Sequence, residues 1–87
     1  MTVFYVLQNW KEYDVRKQVS GMDPRFFDCV QNWEIEFLIE RIRHIYTVIP
    51  ESHIRNAIRK ACDKENVTRE RENFVSAVLA NLTMTAN

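Results

Sequence analysis

Apolar residues recur every three or four positions along the middle of the chain, which is the spacing of one face of an α-helix. The longest series lies between positions 33 and 49, and it consists of Ile35, Leu38, Ile39, Ile42, Ile45, Tyr46 and Ile49. It predicts a helix over about residues 33–47. Pro50 should separate this helix from the next one, because proline disfavours the α conformation in the residue before it.

Two later segments have the same periodicity. The segment predicted at about 51–64 places Ile54, Ala57, Ile58, Ala61 and Cys62 on one face. The segment predicted at about 67–82 carries Val67, Phe74, Val75, Val78, Leu79 and Leu82, with Asn66 or Thr68 as a possible N-cap. The short connection at Pro50 predicts that the first two helices are neighbours. Residues 83–87 are expected to form a frayed tail.

The first thirty residues allow more than one interpretation. The apolar run Val3 to Leu7 is compatible with a short strand or with a buried helical turn. Residues 10–20 could form a helix that ends at Gly21. The predicted fold is therefore a single all-α domain, a small bundle of three to four helices with a possible N-terminal strand. Its predicted core comprises Ile35, Leu38, Ile42, Ile45, Ile54, Ile58, Phe74, Val78 and Leu82.

The tripeptide Gln-Asn-Trp occurs twice, ending at Trp10 and at Trp33. The residues that follow the two copies differ, so a duplicated functional site is not favoured. Asparagine is a preferred N-cap residue. The repeat therefore predicts that Asn9 and Asn32 each cap a helix whose first turn contains the tryptophan.

Composition supports a helical protein and excludes several kinds of site. Among 87 residues there are one glycine and two prolines, too few glycines for the phosphate-binding loops of common nucleotide sites. Twelve basic residues balance twelve acidic ones, so no overall field attracts nucleic acid or an anionic membrane. The longest apolar run is far shorter than the roughly 20 residues of a membrane span. We therefore expect a soluble protein that does not enter a membrane.

The spacing of cysteine and histidine does not indicate a metal site. Cys29, His44, His53 and Cys62 are scattered singly, without the short paired spacings of zinc ligands. Neither a CxxC pair nor a leader sequence is present, so the sequence predicts reduced cysteines and a cytoplasmic location. A Cys29–Cys62 disulfide is the less favoured alternative.

No catalytic set is evident. Ser52 and His53 are adjacent, which on a helix directs their side chains about 100° apart. Glu36 and Glu40 are one turn apart, but Arg43 and His44 follow Glu40 at the spacing of a solvated salt-bridged face. The sequence thus predicts no enzyme, no cofactor and no small-molecule substrate.

Trp33 and Phe37 are one turn apart, on the side of their helix nearly opposite the isoleucines. Either the N-terminal segment packs over them, which is the favoured interpretation, or they anchor a partner, because aromatic residues are enriched in interface cores. The leading functional hypothesis is a non-enzymatic interaction module, which could form a homodimer.

A second hypothesis concerns the helix pair around Pro50. It has the outline of a helix-turn-helix whose second helix carries Arg55, Arg59 and Lys60. These cations could contact nucleic acid, although the usual turn glycine is absent and the chain is neutral overall. Nucleic-acid binding is therefore the alternative function.

A stretch from Asp23 to Cys62 resembles a small, mostly bacterial family of unknown function. The resemblance lies in Asp23, Phe27, the run Trp33 to Leu38 and the run Ile54 to Ile58, which are similar to D-x3-I-x5-Y-E-V-x-Y-W followed by L-x-x-A-V. The chain departs from that pattern in a longer helix before Pro50 and in Cys62, where the family usually has glycine. The resemblance implies a compact helical domain and brings no activity, cofactor or site residue.

Overall fold

Five helices follow one another in this computed structural model, which describes residues 3–63 and 70–85. They are α1 (Val3–Val6), α2 (Lys11–Val19), α3 (Asn32–Ile45), α4 (Glu51–Asp63) and α5 (Arg71–Thr85). The described ranges contain no strand, only an isolated bridge between Phe26 and Glu70. The predicted all-α fold is confirmed.

The core lies where the apolar faces of the three long helices meet. Helix α4 packs along both α5 and α3, and α1 contacts α3 and α5. Seven of the nine residues predicted for the core are buried, namely Leu38, Ile42, Ile54, Ile58, Phe74, Val78 and Leu82. Ile35 and Ile45 are half-buried and pack against its edge. Helical periodicity therefore identified the side chains that hold α3, α4 and α5 together.

The N-terminal apolar run forms a helical turn, so the possible strand is not present. The backbone N–H of Leu7 donates to the carbonyl of Val3 at 3.0 Å. Val6 is buried, and its carbonyl accepts a 2.6 Å hydrogen bond from the indole N–H of Trp10. A short helix leaves the carbonyls of its last residues without backbone partners. The Trp10 indole N–H therefore supplies the hydrogen bond that a neighbouring strand would otherwise have donated to the Val6 carbonyl.

The two Gln-Asn-Trp tripeptides do not act as predicted. Asn9 has a φ of 64°, and α2 begins two residues later, after Trp10 at the N-cap position. Asn32 is already the first residue of α3, and Gln31 at the N-cap position makes no side-chain capping hydrogen bond. The capping prediction is therefore wrong for both asparagines. Asn9 serves a turn instead, because asparagine tolerates the left-handed conformation better than most residues.

The predicted helix ends need two corrections. Helix α3 ends at Ile45, not at residue 47, because Tyr46 leaves the α conformation while its N–H still reaches the carbonyl of Ile42. Helix α5 continues to Thr85, so residues 83–85 are helical and the frayed tail was predicted too early. The predicted start of this helix at residue 67, and the caps Asn66 and Thr68, lie outside the described residues.

The prediction of reduced cysteines is wrong. Cys29 and Cys62 form a disulfide with a Cα–Cα distance of 6.0 Å, in the usual range for such bonds. It joins the loop between α2 and α3 to the last turn of α4. The two cysteines are 33 residues apart in sequence, so only the packing of α4 beside this loop brings them together.

None of the helices formed by residues 3–63 and 70–85 is long and apolar enough to cross a membrane.

Candidate interaction site

A buried polar cluster joins α2 to α3. Tyr13 and Lys17 are one turn apart on α2, and both reach Glu34 in the first turn of α3. The Lys17 Nζ lies 3.0 Å from each Glu34 carboxylate oxygen, and the Tyr13 hydroxyl donates to Oε1 at 2.5 Å. Only 1 % of the Lys17 surface and 0 % of the Glu34 surface is accessible to solvent. The cluster therefore fixes the side of α2 that faces α3.

The same cluster also holds the loop between the two helices. Lys17 donates to the carbonyl of Phe26 at 2.7 Å, and the backbone N–H of Asp28 donates to Glu34 Oε1 at 2.9 Å. Burial, with a further contribution from Glu34, raises the pKa of Tyr13 well above its ordinary value, so its hydroxyl stays a donor. Each charge has an opposite charge and further hydrogen bonds, as buried ions require.

Above this cluster, aromatic rings cover the inner sides of Trp33 and Phe37. The Tyr13 ring centroid lies 5.3 Å from that of Trp33 and 5.4 Å from that of Phe37. Trp10 meets Phe37 edge to face at 4.9 Å. These geometries are those of favourable aromatic pairs. Both predicted anchors thus pack within the molecule, against side chains of α2 and its N-cap position.

Their outer sides line an open groove between α2 and α3, of about 520 Å³. Trp33 and Phe37 are half-buried, and with Tyr13 they form the apolar floor. The remaining lining residues, which we call the rim of the aromatic groove, are Glu12, Arg16, Glu36 and Glu40. All four rim residues are exposed. The groove therefore combines an aromatic floor with exposed, charged side chains on its rim.

The rim carries an excess of negative charge. The Arg16 guanidinium lies over the Trp33 ring at 4.3 Å from the centroid, where the π-face attracts a cation. Glu36 is paired with Arg55 at 2.7 Å. Among the described residues, Glu12 and Glu40 form no ion pair. Two of the rim carboxylates are thus without a cationic partner in this part of the chain.

The cations predicted to contact nucleic acid lie on α4 and are partly engaged. Arg55 bonds to Glu51 at 3.0 Å as well as to Glu36, and these two carboxylates raise the pKa of its guanidinium. Arg59 and Lys60 are exposed. The predicted salt-bridged face after Glu40 is also arranged differently, because Arg43 pairs with Glu51 across the α3–α4 turn.

The candidate metal and nucleophilic residues do not converge. His44 lies on α3 and His53 on α4, both exposed, and the cysteines are joined to each other. In the ranges 3–63 and 70–85, no three His, Cys, Asp or Glu side chains come together as metal ligands would.

Sequence reasoning missed Lys17 and Glu34. A signal existed in the i, i+4 spacing of Tyr13 and Lys17, which puts both on one side of α2, but the partner 17 residues beyond Lys17 is not marked in the sequence.

No family model, no curated protein and no solved structure matches this chain, so its resemblance to a small bacterial family stays a prediction.

Proposed function

We propose that this protein is a non-enzymatic binding module whose aromatic groove receives a basic, amphipathic helical segment of another polypeptide. The carrying observation is the juxtaposition of the half-buried Trp33 and Phe37 with the carboxylates of Glu12 and Glu40, which form no ion pair within residues 3–63 and 70–85. Helix-in-groove recognition uses an apolar floor for anchors at i, i+3 or i+4 and charges on the rim for orientation. Both requirements are met between α2 and α3.

Charge decides the kind of partner. Of the four rim residues three are acidic and one is basic, and Arg55 neutralises one of the acids. A partner with Lys or Arg beside its apolar anchors gains attraction on approach, whereas an acidic partner is repelled. Arg16 already shows the preferred contact, a guanidinium on the Trp33 face. An arginine of the partner could take the same position once Arg16 swings aside.

The buried cluster supports a binding role more than a catalytic one. Tyr13, Lys17 and Glu34 are of types that suit acid–base chemistry, yet they are buried and hydrogen-bonded to each other. A general acid or base must be within hydrogen-bond reach of its substrate. We therefore assign the cluster to holding the groove in shape, which reduces the entropy lost on binding.

The test uses two synthetic helical peptides that share leucines at i, i+4 and i+7 and differ only in having lysine or glutamate beside them. Calorimetry should detect the basic peptide with a Kd on the order of micromolar, and no binding of the acidic one. The double variant E12K/E40K should weaken basic-peptide binding by tenfold or more, because two attractions become repulsions. E72K, an exposed change on α5 outside the groove lining, is the matched control and should bind like wild type.

Charge reversal is a sharper test than truncation of the rings, because Phe37 is packed against Trp10 and its loss would disturb the fold. Failure of the basic peptide to bind, or equal weakening by E72K, contradicts the proposal.

Light scattering behind a sizing column tests whether a second copy of this chain occupies the groove instead. A wild-type dimer that E12K/E40K converts to a folded monomer would assign the groove to a second copy of this chain and overturn the proposal.

We further propose that the protein works in an oxidising compartment instead of the cytoplasm predicted from its cysteine spacing. The support is the disulfide, since such bonds form and persist mainly where the surroundings are oxidising. Mass spectrometry of thiol-blocked protein taken directly from its native host, without reductant, tests this. Two blocked thiols in most molecules would refute it.

A further inference from the structure

The disulfide is not sealed in the core. Cys29 and Cys62 are both half-buried, and they line a cleft of about 230 Å³ that lies between helix α4 on one side and the start of α3, with the loop before it, on the other. The charged residues that line this cleft are Arg55, Arg59 and Glu36. Arg55 is held by Glu36 and Glu51, whereas Arg59 forms no ion pair within residues 3–63 and 70–85. The sulfur–sulfur bond thus shares this cleft with an exposed positive charge that has no ionic partner among the described residues.

We propose that this cleft is a thiol–disulfide exchange site for a small anionic thiol, one that carries carboxylates, and that Arg59 attracts it. A thiolate is the attacking species in such exchange, so both the reacting sulfur and the carboxylates are negative. A cation at the mouth of a cleft raises the local concentration of such a molecule. The module would in this way exchange its disulfide with the surrounding thiol pool.

The reaction needs no other reagent. The thiol loses its proton to solvent, and its sulfur attacks one sulfur of the disulfide. A new bond forms between the two, the Cys29–Cys62 bond breaks, and its electron pair stays on the departing sulfur as a thiolate. A second thiol can then displace the protein from the mixed disulfide, which leaves two protein thiols and one oxidised small disulfide.

The surroundings select which sulfur departs. Cys29 precedes the first residue of α3 by three positions, near the positive end of that helix dipole. Cys62 is in the last turn of α4, near the negative end. The better leaving group is the thiol with the lower pKa. Cys29 is therefore the leaving thiolate, and Cys62 is attacked and carries the mixed disulfide.

The experiment measures the exchange rate of the oxidised, folded protein with glutathione, 2-mercaptoethanol and cysteamine, which are anionic, neutral and cationic thiols. Intact mass spectrometry follows the adduct, and rates are divided by each thiolate concentration. R59Q should slow glutathione by roughly threefold to tenfold, the effect of one near charge, and cysteamine by much less. K60Q removes a neighbouring exposed cation that does not line the cleft, and it should change every rate by less than about twofold.

Three results would overturn the proposal: R59Q slows all three thiols by the same factor, K60Q matches R59Q, or the folded protein forms no adduct. Peptide mapping tests the direction of attack, because a glutathione adduct mainly on Cys29 contradicts the assigned leaving group. Both variants change exposed side chains, so folding is retained in each arm.

Discussion

At the scale of single residues, Lys17 is a buried lysine whose ammonium is surrounded by acceptors. Its ammonium is 1 % exposed and has two Glu34 oxygens and the Phe26 carbonyl as partners. Replacing one member of a buried ion pair leaves the other charge buried and uncompensated. Replacing Lys17 should therefore affect the stability of the fold far more than replacing an exposed charged residue of α2.

We expect Lys17→Met to lower the free energy of unfolding by about 3 to 5 kcal/mol, because Glu34 then keeps a buried negative charge without a cation. Lys11→Met on the same helix is the control; Lys11 is exposed, and its loss should cost less than about 0.5 kcal/mol. Urea unfolding followed by circular dichroism measures both. Equal costs for the two substitutions would show that the pair does not stabilise the fold.

The double variant Lys17→Met with Glu34→Gln separates charge from packing. Removing both charges should recover a large part of the loss, since neutral groups cost less to bury than an isolated carboxylate. If the double variant is as unstable as Lys17→Met alone, shape and not charge decides the cost.

At the scale of the helices, periodicity predicted more than local sequence rules did. Helices α3 and α4 begin and end within about two residues of their predicted bounds. The predicted and observed bounds agree because these helices are stabilised mainly by burial of their apolar faces against one another, which does not depend on their caps. Asn9 and Asn32 show where the rules failed: the same tripeptide occupies a left-handed turn in one place and the first helical residue in the other.

Replacement by alanine should therefore lower the stability at one of these two asparagines and leave it almost unchanged at the other. Asn9→Ala should cost about 1 to 2 kcal/mol, because an alanine side chain disfavours a φ of 64°. Asn9→Gly should cost much less, since glycine adopts positive φ freely. Asn32→Ala should change stability by less than about 0.5 kcal/mol, because its side chain caps nothing. Thermal unfolding of the three variants measures these differences, and a loss at Asn32 as large as at Asn9 would restore the capping interpretation.

At the scale of the whole molecule, the features that define both candidate sites are contacts between distant parts of the chain. Trp33 and Phe37 could be selected from sequence as a second apolar side of α3, but the acidic rim needs Glu12 from α2. The cleft likewise needs Cys29 beside α4. Local sequence patterns do not encode contacts between distant segments. The sequence therefore indicated the aromatic residues, but it did not indicate the acidic rim beside them or the position of Cys29 next to α4.

The disulfide is the one covalent link among these distant contacts, and its effect on stability follows from the size of the loop it closes. Cys29 and Cys62 are 33 residues apart, and a cross-link of this span reduces the entropy of the unfolded chain enough to stabilise the fold by roughly 3 to 4 kcal/mol. An 87-residue chain has a small core, so this is a large share of its total stability. We expect the Cys29→Ser, Cys62→Ser double variant to unfold at a clearly lower urea concentration than oxidised wild type and at nearly the same concentration as reduced wild type. That last agreement is the control, because it separates loss of the cross-link from loss of cysteine packing. If oxidised and reduced wild type unfold alike, the bond does not stabilise the native fold, and α3, α4 and α5 hold the loop in place by packing alone.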